Sequence, residues 1–171
     1  KALAEKIGSV FFIKITKANI GVQYHYMKDY DKAEEYYTQA LADHRELGDS
    51  LGICRGLSRL GNLYRDKKDY QLAFENLLEA ESMAQRRKYA FLQPLILSRL
   101  GDCYFASGEL EKAEKSYELA QNLAEQIEKP SLIALAKLGL ARLSKDPDRA
   151  IDLATQVLAL SKKLGSLSEQ E

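Results

Sequence analysis

The stretches Ile20-Gly21-Val22-Gln23-Tyr24, Leu60-Gly61-Asn62-Leu63-Tyr64 and Leu100-Gly101-Asp102-Cys103-Tyr104 write one pattern three times, with their glycines 40 residues apart. Downstream, Ala33, Ala73 and Ala113 keep that interval. So do Tyr37, Leu77 and Tyr117, and then Ala40, Ala80 and Ala120. Self-similarity at a constant interval of this size marks a repeat architecture, in which each copy buries its apolar face against the next. A fourth copy restarts two residues early at Leu138-Gly139. Ala150, Ala154 and Val157 stand at its second-helix positions, and Arg142 or Leu143 replaces the tyrosine.

Each copy predicts two helices. Leu57, Leu60, Gly61 and Tyr64 share one face of a first helix, and Tyr70, Ala73, Leu77 and Ala80 share one face of a second. Polar turns separate them at Lys28-Asp29, Lys68-Asp69, Ser107-Gly108-Glu109 and Lys145-Asp146. Asp29, Asp69 and Asp146 stand where a carboxylate can accept the unpaired N–H groups of a helix start. Pro147 follows at the first helical position, where its missing N–H costs nothing. The second helices are expected to end near Leu47-Gly48, Arg86-Arg87-Lys88, Ile127-Glu128-Lys129 and Leu164-Gly165, where glycine or cations suit the carbonyl end. Gly21, Gly61 and Gly101 are read as letting paired helices approach with no side chain between them, with Tyr24, Tyr64 and Tyr104 filling the space around the contact.

The expected organisation is one array over residues 1–171. Residues 1–8 form the tail of a preceding helix, 9–48, 49–88 and 89–128 form three repeats, 129–165 form a degenerate fourth, and 166–171 begin a further element. Leu3-Ala4-Glu5-Lys6-Ile7 matches Leu123-Ala124-Glu125-Gln126-Ile127, and Leu164-Gly165-Ser166-Leu167 matches the Leu47-Gly48-Asp49-Ser50-Leu51 junction. A chain starting and stopping in mid-repeat is expected to come from a longer array, with uncapped ends open to self-association.

Composition narrows the function classes. The 25 basic and 25 acidic residues cancel, so there is no global pull toward nucleic acid or anionic membrane. The 46% hydrophobic content argues against disorder. The most apolar run, Val10 to Ile13, is cut off by Lys14, far short of the roughly 20 residues of a membrane span. Cys54 and Cys103 are far apart and outside any CxxC, and read as reduced, half-buried side chains in a cytoplasmic protein. His25 and His44 are single residues without metal-site spacing, and no GxGxxG, P-loop or HExxH occurs. No enzyme, cofactor or metal is expected.

The spacing resembles the tetratricopeptide repeat, whose signature is Leu-Gly-x-x-Tyr in a first helix and Ala-x-x-x-Phe/Tyr-x-x-Ala in a second. Here the second part is Ala33-Tyr37-Ala40, Ala73-Leu77-Ala80 and Ala113-Tyr117-Ala120. The usual tryptophan is replaced by Lys17, Leu57 and Leu97, and the terminal proline is missing. The longer repeat looks like the variant of kinesin light chains, Pins-related scaffolds and bacterial signalling proteins. The resemblance implies an all-α fold, a right-handed superhelical solenoid of antiparallel hairpins whose first helices line a concave groove.

It also implies which side chains face that groove: those two before and one after each glycine, and their neighbours. These are Asn19, Arg59, Arg99 and Lys137, then Val22, Asn62, Asp102 and Leu140. Arg55 lies one turn earlier, and Tyr26, Asp66 and Phe105 one turn later. Arg55, Arg59 and Asn62 share a stripe, and neighbouring helices pack about 8–10 Å apart. A ladder of guanidinium and amide groups suits the carboxylates and backbone of an extended acidic segment. The alternative is that Arg59 and Arg99 pair with Asp66, Asp102 or water. A chaperone-type carboxylate clamp fits poorly, because Ser58 and Ser98 stand where its lysine belongs.

The leading expectation is a protein-interaction module that binds a peptide or partner segment, as part of a scaffold or signalling protein. The alternative is a ligand-sensing domain of a bacterial transcription regulator or kinase. Direct nucleic-acid binding is disfavoured by the neutral charge and the lack of stacking aromatics at regular groove positions.

Overall fold

The computed structural model describes residues 17–168, the last six as helix backbone. Among them all regular structure is helical: α1 (17–26), α2 (Tyr30–Glu46), α3 (Ser50–Asp66), α4 (Tyr70–Arg86), α5 (Leu92–Ser107), α6 (Leu110–Gln126), α7 (Pro130–Leu143) and α8 (Pro147–Ser168). The expected helix tail at 1–8, the Val10–Ile13 run and residues 169–171 lie outside the described residues. The chain divides into two compact units between Ala80 and Glu81, within α4.

Six turns share one device. Lys28, Gly48, Lys68, Lys88, Gly108 and Glu128 all have positive φ, from 51° to 88°. In each turn two backbone bonds close the helix end. In the second turn they are Gly48 N–H to Arg45 C=O at 3.1 Å and Asp49 N–H to His44 C=O at 2.9 Å. Lys68 and Asp69 repeat this on Arg65 and Tyr64, and Gly108 and Glu109 on Phe105 and Tyr104. This left-handed closure satisfies carbonyls that a helix end would otherwise leave unpaired. The positions stand 20 residues apart, so the 40-residue repeat is two half-repeats with the same stop signal. The turn between α7 and α8 lacks it. Ser144 is extended there, with φ −64° and ψ 125°, in a copy that has already restarted two residues early at Leu138-Gly139.

The helix starts follow the cap expectation. Asp29 Oδ1 accepts from Lys32 N–H, Asp69 Oδ1 from Leu72 N–H and Asp146 Oδ1 from Asp148 N–H. At the other end, α8 does not stop at Leu164-Gly165 but runs on to Ser168. A helical glycine costs only about 1 kcal/mol relative to alanine. Moreover, Ser166 stands where Asp49 supplies a capping carboxylate at the earlier junction.

The role of the glycines also needs correcting. They admit a side chain of the second helix, and at Gly61 its backbone comes close as well, with Ala73 C=O 3.1 Å from where a Cβ would stand. A Cβ on Gly21 would stand 2.6 Å from Tyr37 Cδ1, one on Gly61 would stand 2.5 Å from Leu77 Cγ, and one on Gly101 would stand 2.6 Å from Tyr117 Cε1. The ring or isobutyl group comes from the second helix, at the position eight residues after each turn aspartate or glutamate. Tyr24 stacks at 5.5 Å on Tyr36, whose Cβ also borders Gly21, and Tyr64 donates its hydroxyl to Glu34 at 2.8 Å.

In the first unit α2 packs on α3, and Tyr37, Leu41, Leu57, Leu63 and Leu77 are buried. In the second, α5, α6 and α7 pack on one another, and α8 packs on α7. Tyr117 is the hub of this second core. Its ring is pinched between Gly101 and Gly139, and Ala113, Leu140, Tyr104, Leu143 and Leu153 gather around it.

Candidate functional site

The site in the first unit is built from the junction of α2 and α3. Asp49 caps α3: its Oδ1 accepts from Gly52 N–H at 2.9 Å, and its Oδ2 lies 2.9 Å from His44 Nδ1. Burial alone would raise the Asp49 pKa, but the Gly52 N–H and His44 outweigh it and hold the carboxyl below its usual range. Glycine is required at 52, because the His44 ring occupies the space a Cβ would need. The first turn of α3 is thereby fixed against the last turn of α2.

One turn further on, Arg55 and Arg59 lie four residues apart on α3. They line a cavity of about 300 Å³ with Asn19, Ala18, His44, Asp49, Leu51 and Gly52. Arg55 is exposed and Arg59 half-buried. Burial lowers the Arg59 pKa, the neighbouring Arg55 pushes the same way, and Tyr37 opposes them. The guanidinium nevertheless stays charged. Among the described residues, neither arginine has a hydrogen-bonded carboxylate. The one carboxylate in the lining, Asp49, already spends both oxygens on His44 and Gly52. A half-buried cation facing another cation is costly until an anion arrives.

The other groove candidates fall elsewhere. Asn62 lies further along α3, half-buried and outside the cavity lining. Asp66 is held by His25 Nε2 at 2.8 Å and by Arg65 at 2.7 Å. Burial works to raise its pKa, but these two partners prevail and keep the carboxyl low. Tyr26, 81% exposed, projects at the end of α1. Arg99 and Asp102 belong to the second unit. There Asp102 Oδ1 accepts from the Tyr117 hydroxyl at 2.7 Å and from Arg142, whose guanidinium also lies over the Phe105 ring. Of the twelve groove positions, the cavity therefore gathers Asn19, Arg55 and Arg59. Sequence reasoning missed His44 and Asp49. Asp49 carried a signal, a carboxylate placed before a helix like Asp29 and Asp69, but His44 carried none.

Among the described residues, no group of three or more His, Cys, Asp or Glu side chains is placed to hold a metal. Burial pushes the Cys54 thiol up to about 11, with Arg55 opposing, so it is a poor nucleophile.

Comparison with known proteins places these features in a family. The tetratricopeptide repeat model matches residues 14–86 and 92–163. The chain belongs to the tetratricopeptide repeat family. Among solved structures, this tetratricopeptide repeat chain is similar to BtubC (BKLC) from P. vanneervenii, with 16% identity and a TM-score of 0.73 over 91% of this chain. It is also similar to aspartyl phosphate phosphatase F from Bacillus subtilis, with 22% identity and a TM-score of 0.75 over 89%. It spans 66% and 41% of those two chains. Likeness at such identities speaks for the fold alone. No protein of curated function matches the sequence significantly. Among the described residues, no helix is long and apolar enough to cross a membrane. The tetratricopeptide repeats supply a scaffold for protein–protein interaction, and any specificity must come from side chains that the scaffold does not itself require.

Proposed function

We propose that the chain binds an extended, carboxylate-bearing segment of a partner protein, with Arg55 and Arg59 receiving the carboxylate and Asn19 bonding to the segment's backbone. One observation carries this reading: two guanidinium groups, four residues apart, face a cavity whose own carboxylate is already engaged. Planar guanidinium donors match carboxylates in paired geometry, and such bonds are about twice as strong as neutral ones. An amide beside them adds a donor and an acceptor for main-chain groups. The chain would serve as the partner-holding part of a larger scaffold or signalling protein. In a second reading, occupancy of the same cavity regulates another domain. The similarity to two longer chains, of which this fold is only a part, supports keeping it.

The test is fluorescence-anisotropy binding of a library of extended acidic peptides to the wild-type chain, Arg55→Glu, Arg59→Glu and the remote surface control Arg86→Glu. Wild type and control should bind alike and lose affinity with rising salt, and each cavity variant should bind at least about tenfold more weakly, equivalent to 1.4 kcal/mol. Equal affinity of wild type and the Arg55→Glu, Arg59→Glu double variant would remove the cavity from the account.

A further inference from the structure

The junction from α2 to α3 departs from the next one, α4 to α5, at four positions that the fold brings together. At an interval of 40 residues, His44 corresponds to Ala84, Asp49 to Tyr89, Gly52 to Leu92 and Arg55 to Leu95. Ala84 and Leu92 are buried, and so are Ala124 and Leu132 at the same places one junction later. Two junctions thus use an alanine near the end of one helix and a leucine near the start of the next. In the α2–α3 junction the volumes are exchanged: an imidazole takes the space, and a Cβ at Gly52 would run into its ring. Packing does not ask for a histidine here, because the other junctions close with alanine. Yet His44, Asp49, Gly52 and Arg55 all line the cavity that holds Arg59.

The hydrogens on His44 follow from its neighbours. Nδ1 lies 2.9 Å from Asp49 Oδ2. An ionised carboxylate only accepts, so Nδ1 carries a hydrogen and donates it. Nε2 has no hydrogen-bond partner among the described residues, and it is not sealed from solvent. In a neutral ring Nε2 offers an incoming carboxylate only a lone pair; in a protonated ring it is a charged donor. Asp49 favours the protonated ring, while Arg55 and Arg59 of α3 oppose it. On α1, Lys17 is engaged by Asp43 at 2.7 Å. On α2 itself, Arg45 and Glu46 are exposed and of opposite sign. An anion in the cavity tips this balance, because it offsets the two arginines and gives Nε2 an acceptor.

We propose that His44 is the third group to hold the ligand anion, and that an acidic segment binds with uptake of one proton from solvent onto His44 Nε2. The proposal rests on the reading of the cavity given above and adds a specificity-determining residue to it. A histidine that gains an anionic partner keeps its proton to higher pH in the complex than in the free chain. Its contribution to binding is therefore fully present below the pH at which the free ring titrates, and is lost as pH rises through the titration of the complex. The same group sorts ligands. A carboxylate gains from the protonated ring and an amide does not, so the preference for acid over amide should widen as pH falls.

The experiment is isothermal titration calorimetry of an end-blocked hexaglutamate peptide, with hexaglutamine as its uncharged counterpart. Each is titrated at about pH 6 and about pH 8, across the range in which histidines change charge, in two buffers of different ionisation enthalpy. Glutamate titrates at about 4.3, so the acidic peptide stays ionised throughout. Hexaglutamate should bind about fivefold to tenfold more tightly at the lower pH, with proton uptake read from the buffer dependence, and hexaglutamine should show neither effect. His44→Gln, which keeps an N–H for Asp49, should bind equally at both pH values and take up no proton. His25→Gln, at the chain's other histidine, should behave like the wild type. The His44 Cε1–H resonance of the wild type gives a reading that needs no variant to fold: its titration should move to higher pH when hexaglutamate is bound. Binding that depends on Arg55 and Arg59 but not on pH, or an unmoved His44 resonance, would overturn this proposal and leave the cavity reading intact. Binding that neither arginine variant weakens would sink both.

Discussion

Tyr64 in the first unit and Arg142 in the second hold the same place in the repeat, three residues after the helix-crossing glycine, and they spend their polar ends differently. Tyr64 bonds to Glu34, which also takes Lys67 at 2.7 Å, and burial together with Glu34 raises the Tyr64 hydroxyl to about 12. Arg142 instead engages Asp102 and the Tyr117 hydroxyl. One substitution in the degenerate copy thus draws a groove-position carboxylate into the packing of its own unit. The first unit satisfies its acidic groups with Tyr64, Lys67, His25, Arg65 and His44, and leaves Arg55 and Arg59 facing a cavity. Copies of one repeat therefore differ in where a few charges are consumed, with little change to the helices that carry them.

The largest expected difference between the units lies at their glycines. Tyr117 is clamped from both sides, so its ring cannot retreat from a Cβ on Gly139, whereas Leu77 opposite Gly61 is a flexible aliphatic. Gly139→Ala should cost about 2–3 kcal/mol by overpacking, and Gly61→Ala about 1 kcal/mol. Urea unfolding measures both. Tyr117→Leu in the Gly139→Ala background should recover part of the loss. Equal costs at the two glycines would break the contrast between a clamped and a yielding core.

Acid should separate the units next. Asp49, Asp66 and Glu34, all in the first unit, have carboxyl groups held below their usual range: burial opposes this in each case, and the hydrogen-bonded partners prevail. Groups whose pKa is lower folded than unfolded add stability that is fully present above the unfolded value, about 4 for these carboxyls. That stability is lost as pH falls through the folded values. Amide exchange at neutral pH and at about pH 3 should show protection falling first in residues 30–66. Uniform loss across both units would contradict the assignment.

A smaller effect is expected at the paired positions themselves. Arg142→Met removes a charged partner from Asp102 and the Tyr117 hydroxyl and should cost about 1 kcal/mol, discounted because the arginine is partly exposed. Tyr64→Phe should cost about 0.5–1 kcal/mol, since Glu34 keeps Lys67. Thermal unfolding of both variants tests whether the inward network is worth more than the peripheral one.

Much of the fold was legible because its determinants are local and periodic. Glycine, alanine and tyrosine recurring at one interval can be counted, and Asp29, Asp69 and Asp146 cap helices by a rule that acts within three residues. The site was less legible. That Arg55 and Arg59 share a helix face follows from their spacing. That Asp66 is taken by His25, 41 residues away, and Asp102 by Arg142, 40 residues away, depends on which neighbour reaches first. His44 had no pattern at all. Its importance comes from a missing side chain at Gly52, a spatial fact with no local sequence signal.

The turns give the finest test, because their geometry is shared while their residues are not. Gly48 and Gly108 adopt positive φ freely, but Lys28, Lys68, Lys88 and Glu128 adopt it against the clash of Cβ with the following carbonyl. That clash costs roughly 1–2 kcal/mol, and replacing the residue by glycine relieves it while giving the unfolded chain more freedom to lose. The balance favours the folded state wherever the left-handed turn is fixed by its two backbone bonds, as at Lys68 and Glu128. Lys68→Gly should therefore raise stability by about 0.5–1 kcal/mol, and Glu128→Gly should match it, since both side chains are exposed. Gly48→Ala should lose about as much. Denaturant midpoints of the three variants read the sign directly. A gain at 68 without one at 128 would mean that the two units do not close their helices at the same energetic cost, even though the bonding pattern is the same.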